Sequence, residues 1–184
     1  MNKLLIAGVC GLVAALISVA DVYEWQMQID VYAQVYILGV VMFVAGALAN
    51  VGYWYGFSII GTMYRNGTLH LMALVALALS IIADASNVLF VLLPQYAASP
   101  AWDAASFFTG TVQAIAFIVT GLALQRLRHQ LGDTAHWYGM FLMLAGALIL
   151  GGDFGSSYIT LFAMASNAVL YVLGSTLLFQ AAKK

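Results

Sequence analysis

Apolar residues run on in this chain for stretches as long as a membrane is thick, and polar residues cluster between them. A helix needs about 20 mostly apolar residues to cross a bilayer. Six stretches reach that length, at about 4–22, 31–54 (extending toward 60), 69–93, 104–124, 137–154 and 158–179. Pro94 closes the third. The pattern predicts an all-α polytopic membrane protein with six transmembrane helices in one domain, 1–184. The sixth stretch follows the fifth after a very short connection, so these two are predicted to be antiparallel neighbours.

A phrase recurs inside this pattern. Ala15-Leu16 leads through four small or apolar residues to Asp21, Ala78-Leu79 likewise to Asp84, and Ala147-Leu148 to Asp153. The even-numbered stretches carry a fainter echo, at Val44-Ala45-Gly46, Val119-Thr120-Gly121 and Val172-Leu173-Gly174. A fixed period of this kind is the mark of a repeat architecture. The reading is three tandem parallel helical hairpins, 1–61, 62–125 and 136–184, with an acid near the same end of each first helix.

Orientation follows from the basic residues. Cytoplasmic loops carry an excess of Lys and Arg. Lys3, Arg65, Arg126, Arg128, Lys183 and Lys184 are all 6 of the chain's basic residues. They fall on one side, which places both termini in the cytoplasm and the protein in a bacterial inner membrane. Tyr23, Trp25, Tyr32, Tyr96 and Trp102 then mark an outer aromatic belt, and Tyr53, Trp54, Tyr55 and Trp137 an inner one. The N-terminal stretch ends in Ser18-Val19-Ala20, which looks like a signal-cleavage site; it is read here as the first span.

Composition sharpens the class. Apolar residues make up 64% of the chain and charged residues 7%, against roughly 25% charged in a soluble domain. A net charge of −1 excludes a basic nucleic-acid surface. One cysteine, Cys10, leaves no internal disulfide and no cysteine metal site. The three histidines, His70, His129 and His136, sit at the cytoplasmic ends of the stretches, so haem held by paired axial histidines is not expected. No lysine lies within a span, so a retinal Schiff base is not expected.

The candidate chemistry lies with the repeated acids. Each aspartate shares its helix face with small residues: Gly8, Gly11, Ala15 and Ser18 before Asp21; Ala73, Ala76 and Ser80 before Asp84, with Asn87 beyond; Gly139 and Gly146 before Asp153. In lipid, small residues and polar side chains bring helices together. Such faces are therefore expected to meet other helices, and the simplest role for each acid is a packing hydrogen bond. An ionised carboxylate at depth costs at least roughly 2.5 kcal/mol and defaults to a functional candidate. No basic residue lies in a span to neutralise it. Protonation, water or a bound cation must do so, and carboxylate, amide and carbonyl oxygens suit hard cations. Asp84 and Asp153, joined by Asp21, are the expected ion or substrate site. Asn87, Gln113 and Asn167 are candidates to line a polar path from it, with Gln34, Asn50 and Ser166 as further polar groups in the spans. His129, Asp133 and His136 form a secondary zinc candidate at the cytoplasmic end, since imidazole and carboxylate ligate zinc.

The leading expectation is a small inner-membrane transporter or channel for a proton, metal cation or small polar solute, with enzymatic activity left open. A non-catalytic accessory or structural subunit of a larger membrane complex is the alternative; the expected partners are the lipid bilayer and either further copies of the chain or a larger membrane complex. A lipid-handling intramembrane enzyme using the histidines is the second alternative. There is no phosphate-binding glycine loop, no G-x-S-x-G and no H-E-x-x-H.

Overall fold

The computed structural model describes the backbone of residues 2–27, 36–92, 100–151 and 157–184. It describes side chains at 2–20, 22, 40–83, 85, 104–105, 107–151 and 166–184. Among the described residues the chain is all-helical, without a strand. Helix α1 is Lys3–Met27, α2 Tyr36–Met63, α3 Gly67–Leu92 and α4 Pro100–Arg126. A single turn, α5 (Arg128–Leu131), leads into α6 (Asp133–Gly151), and α7 is Ser157–Ala182. Within these, Lys3–Ala20, Val40–Met63, Phe107–Arg126 and Asp133–Gly151 are long and apolar enough to cross a membrane. Four such helices are the profile of an integral membrane protein.

The helix ends follow from local chemistry. Asn2 caps α1 by accepting from Leu4 N through Oδ1 at 3.1 Å, and its amide donates to Ala182 O at 2.9 Å on the last helix. Pro100 opens α4, where its missing N–H costs nothing. At the end of α2, Arg65 takes a left-handed φ of 51°. Arg65 N donates to Thr62 O at 3.2 Å and Asn66 N to Gly61 O at 2.8 Å. These two bonds satisfy the last carbonyls of the helix in the manner of a Schellman turn. Asn66 then caps α3, accepting from Leu69 N at 3.0 Å. Gly132, with φ of 88°, makes the second left-handed turn, before α6.

The long helices form a closed ring in chain order, α7 packing extensively against α1, while α2 also reaches α7 across the middle. Glycines set how closely the backbones approach. A Cβ on Gly139 would lie 2.6 Å from Gly121 O, and one on Gly146 2.5 Å from Ala114 O, so α4 and α6 touch main chain to main chain. A Cβ on Gly61 would lie 2.5 Å from His70 N, locking α2 to α3. On the α1 side, a Cβ on Gly52 would meet Cys10 Sγ at 2.5 Å and one on Gly56 would meet Ala7 Cβ at 2.5 Å. Burying apolar area does not drive this association in lipid, so close approach must.

Burial is one-sided along the ring. The outermost buried residue is Ala15 on α1, Ala49 on α2, Ala76 on α3, Ala114 on α4, Gly146 on α6 and Leu170 on α7. Inward of that layer, toward the chain termini, the interior is filled. Outward of it, no described residue is buried.

Candidate functional site

The filled half is built around an aromatic cluster carried by α2. Tyr53, Trp54 and Phe57 project inward, Tyr53 at 1% and Trp54 at 4% exposure. Trp54 stacks on Phe117 of α4, ring centres 5.6 Å apart and planes at 29°. Phe57 stacks on Tyr138 of α6 at 5.2 Å and 25°. Tyr53 meets Tyr171 of α7 edge-on at 4.9 Å. Aromatic pairs in such geometry are worth about 0.5–1.5 kcal/mol beyond their area. Tyr53 and Trp54 are therefore core residues, a correction to their expected place in an inner aromatic belt. Tyr55 and Trp137, at 47% and 54% exposure, do face outward.

Tyr53 also joins three helices by hydrogen bonds. Its hydroxyl lies 2.6 Å from the Tyr138 hydroxyl and 3.1 Å from Leu170 O. A carbonyl can only accept, so Tyr53 donates to Leu170 and Tyr138 donates to Tyr53. A side chain on Gly174 would collide with the Tyr53 hydroxyl, and one on Gly11 with the Tyr53 ring, so these two glycines form the socket for it. One turn outward, Tyr171 donates to Asn50 Oδ1, tying α7 to α2 a second time. Ser175 Oγ is spent on Tyr171 O at 2.7 Å. Thr120 is fully buried on α4, and its Oγ1 has no hydrogen-bond partner.

At the terminal end further polar contacts join neighbouring helices. His70 Nδ1 lies 2.8 Å from Ser58 Oγ and 3.1 Å from Ser58 O. Asn66 Nδ2 donates to Ala123 O at 3.3 Å, Gln180 Nε2 to Thr134 Oγ1 at 3.0 Å, and Lys184 to Gln130 O. These bonds link α3 to α4 and α7 to the α5–α6 turn.

The residues picked out in the sequence fall as follows. Asp21 and Asp84 lie along α1 and α3, outward of the buried layer, and their side chains, like that of Asn87, lie outside the described residues. Asp153 and Gln34 also lie outside the described residues. Gln113 is half-buried beside the fully buried Ala114, Ser166 is half-buried, and Asn167 is exposed. Asn50 is engaged by Tyr171. His129 is exposed, and Asp133 binds Arg128 at 2.7 Å with both side chains largely exposed. His136 leans edge-on against Trp137 at 5.7 Å. Among the described residues no three His, Cys, Asp or Glu side chains gather where they could hold one metal ion.

The described site is thus a hydroxyl-bearing aromatic layer, neutral throughout, and on its far side from the termini no described residue is buried. In comparison with known proteins, no family model matches this chain. No curated protein and no solved structure matches it either.

Proposed function

We propose that this is a six-span integral membrane carrier, with both termini cytoplasmic, that moves a proton, a metal cation or a small polar solute. The six spans form three tandem hairpins, and the repeated acids Asp84, Asp153 and Asp21 form the site in the outer half. One observation carries the reading: the ring is packed solid around Tyr53 at its terminal end and holds no buried residue among those described beyond Ala15, Ala49, Ala76, Ala114, Gly146 and Leu170. The repeated acids occupy sequence positions on the side away from the termini. A carboxylate within a membrane needs water, a proton or a cation, and we place a solvent-accessible site on that side. The filled terminal half favours a carrier that changes conformation over a standing pore.

Flux in proteoliposomes tests the reading, measured for protons and across a panel of monovalent and divalent cations. Wild type is expected to move at least one of them, and Asp84→Asn and Asp153→Asn to lose that flux while reaching the membrane normally. Flux unchanged in both variants would remove the acids from the site. Cysteines placed at 30 and 99 check the orientation: both are expected to react with an impermeant reagent from outside the cell only.

A further inference from the structure

We infer that the seam between α1 and α7 binds one anionic phospholipid, with a chain in an apolar groove and the headgroup at the lysines of the terminal end. This goes beyond the carrier reading and does not depend on it. A groove of about 520 Å³ opens along the seam, lined entirely by described residues, none of them polar. Ala15 and Ala168 back it, Leu12 and Leu16 form its α1 rim, and Val172 stands on the α7 side. The groove begins where ring packing stops. Nearer the termini, a Cβ on Gly8 would lie 2.5 Å from the Phe179 ring, so that ring rests on bare main chain and fills the seam.

Its place in the fold says what fills it. The rims at Leu16 and Val172 are exposed, on a helix long and apolar enough to cross a membrane, so the groove faces hydrocarbon. Left empty, its lining would forfeit dispersion contacts. A second copy of the chain fits it poorly. Helices within the chain approach one another at glycine and alanine, whereas Leu and Val on the rims hold a neighbouring helix off. An acyl chain is thin enough to lie between them.

The headgroup follows from charge. Lys183 continues the α7 face of Val169, Val172 and Thr176, at successive spacings of three, four and seven. Lys183 N donates to Gln180 O at 3.3 Å, which carries the helical turn on to it. Thr176 spends its hydroxyl on Val172 O at 2.9 Å. Lys3 opens α1 close by, since the adjacent Asn2 donates to Ala182 O, just before Lys183. Lys184 is turned away, to Gln130 O. Lys3 and Lys183 are exposed, and the one ion pair among the described residues is Arg128–Asp133. Two ammonium groups without a carboxylate, at the foot of an apolar groove, complement a phosphate that carries a chain; basic side chains at a membrane surface attract anionic lipid in this way. The reach fits as well. Lys183 is about 15 Å along the helix from Leu173 and about 22 Å from Ala168, and one leaflet with its headgroups is about 20–22 Å deep. A lipid whose phosphate rests at Lys183 lays the distal half of its chain in the groove.

The test uses the full chain purified in detergent, with bound lipid counted by native mass spectrometry and affinity measured by titration. Dioleoyl phosphatidylglycerol is the probe, dioleoyl phosphatidylcholine the neutral control, and dihexanoyl phosphatidylglycerol the same headgroup on chains too short to reach the groove. One dioleoyl phosphatidylglycerol is expected to stay bound where the other two do not. Lys183→Gln is expected to weaken it about fivefold, and Lys3→Gln with Lys183→Gln about twenty-five-fold. Ala168→Phe fills the groove and is expected to abolish retention; if that variant does not fold, the long-chain and short-chain lipids still make the comparison. Equal retention of phosphatidylcholine, or retention unchanged in the double lysine variant, overturns the headgroup site. Short-chain binding as tight as long-chain binding overturns the groove. A change of oligomeric mass in Ala168→Phe with lipid retention unchanged assigns the face to a second copy and overturns the inference. None of these outcomes touches the carrier reading, which flux decides.

Discussion

Replacing Gly139 by alanine isolates what holds α4 against α6. The added methyl would lie 2.6 Å from Gly121 O and 3.2 Å from Gln125 Cγ, whereas carbon–carbon packing is most favourable at about 3.5–4.0 Å. The offending atom is a main-chain oxygen inside a helix, so no rotamer change relieves the clash. The helices must separate by on the order of 1 Å, a distance set by the difference between those contacts. Gly121 and Gly146 sit on the same seam, so the separation loosens their contacts too. Overpacking of this kind costs about 1–3 kcal/mol. Alanine's helix propensity offsets at most about 1 kcal/mol of that. Gly110→Ala is the matched control: it is helical, an added Cβ meets nothing within 4 Å, and only the propensity gain remains. Thermal unfolding of the purified protein in detergent, followed by the reactivity of Cys10 or by light scattering, should show Gly139→Ala melting several degrees below wild type, at roughly 2–4 °C per kcal/mol for a chain of this size. Gly110→Ala should melt at or slightly above wild type. If Gly139→Ala melts with Gly110→Ala, the backbones are not in contact and the account of the α4–α6 seam is wrong.

Three further outcomes are expected. Thr120→Val should raise the melting temperature, since it removes a fully buried hydroxyl without a partner at nearly constant volume, and such a group costs about 1–3 kcal/mol; a lower melting temperature would show that the hydroxyl is bonded after all. Tyr53→Phe should destabilise more than Tyr138→Phe in the same assay, because it strands the Tyr138 O–H donor, whereas Tyr138→Phe leaves Tyr53 still donating to Leu170 O; the reverse order would reverse the donor assignment. Asp133→Asn should lower the melting temperature by no more than about 4 °C, since its ion pair with Arg128 is exposed and such pairs contribute about 0–1 kcal/mol; a larger loss would give Asp133 a role beyond that pair.

The helices were legible because an apolar run of span length has few other solutions. Their ends were less legible: the fourth stretch reads from about 104, whereas α4 opens at Pro100. The aromatic layer was not legible. Tyr and Trp serve equally at a bilayer interface and in a core that offers their polar atom a partner, so type alone could not place Tyr53 or Trp54. Spacing could have. Gly46, Ala49, Asn50, Tyr53, Gly56, Phe57 and Ile60 recur at threes and fours along α2, and the small members of that stripe mark the face that meets other helices. Tyr55 stands off the stripe, and it is exposed. The pairing of Tyr53 with Tyr138 and of Tyr171 with Asn50 was beyond reach, because it depends on how far three separate helices slide past one another. The seam at Gly121, Gly139 and Gly146 was half visible: Gly139 and Gly146 were seen as a small face, but the facing Gly121 appeared only as an echo of the repeat. The three acids remain the feature that the sequence states most loudly, and flux through Asp84→Asn decides their meaning.

The turn between α2 and α3 has a consequence for how such a chain enters a membrane. The position held by Arg65 is left-handed, the place where helices most often end on glycine, and an L-residue there pays roughly 1 kcal/mol or more in backbone strain. Glycine would make a more stable folded protein. Arginine sits there instead, the sole basic residue between the second and third apolar stretches. Its charge also complements the carbonyl end of α2, but only by a fraction of that cost when exposed. Under the proposed topology its greater use comes before folding, when a nascent hairpin is being sorted to one side of the bilayer. The turn then records two successive demands on one residue: first to retain a loop in the cytoplasm, later to bend there at some discomfort. The second is met less well so that the first can be met at all.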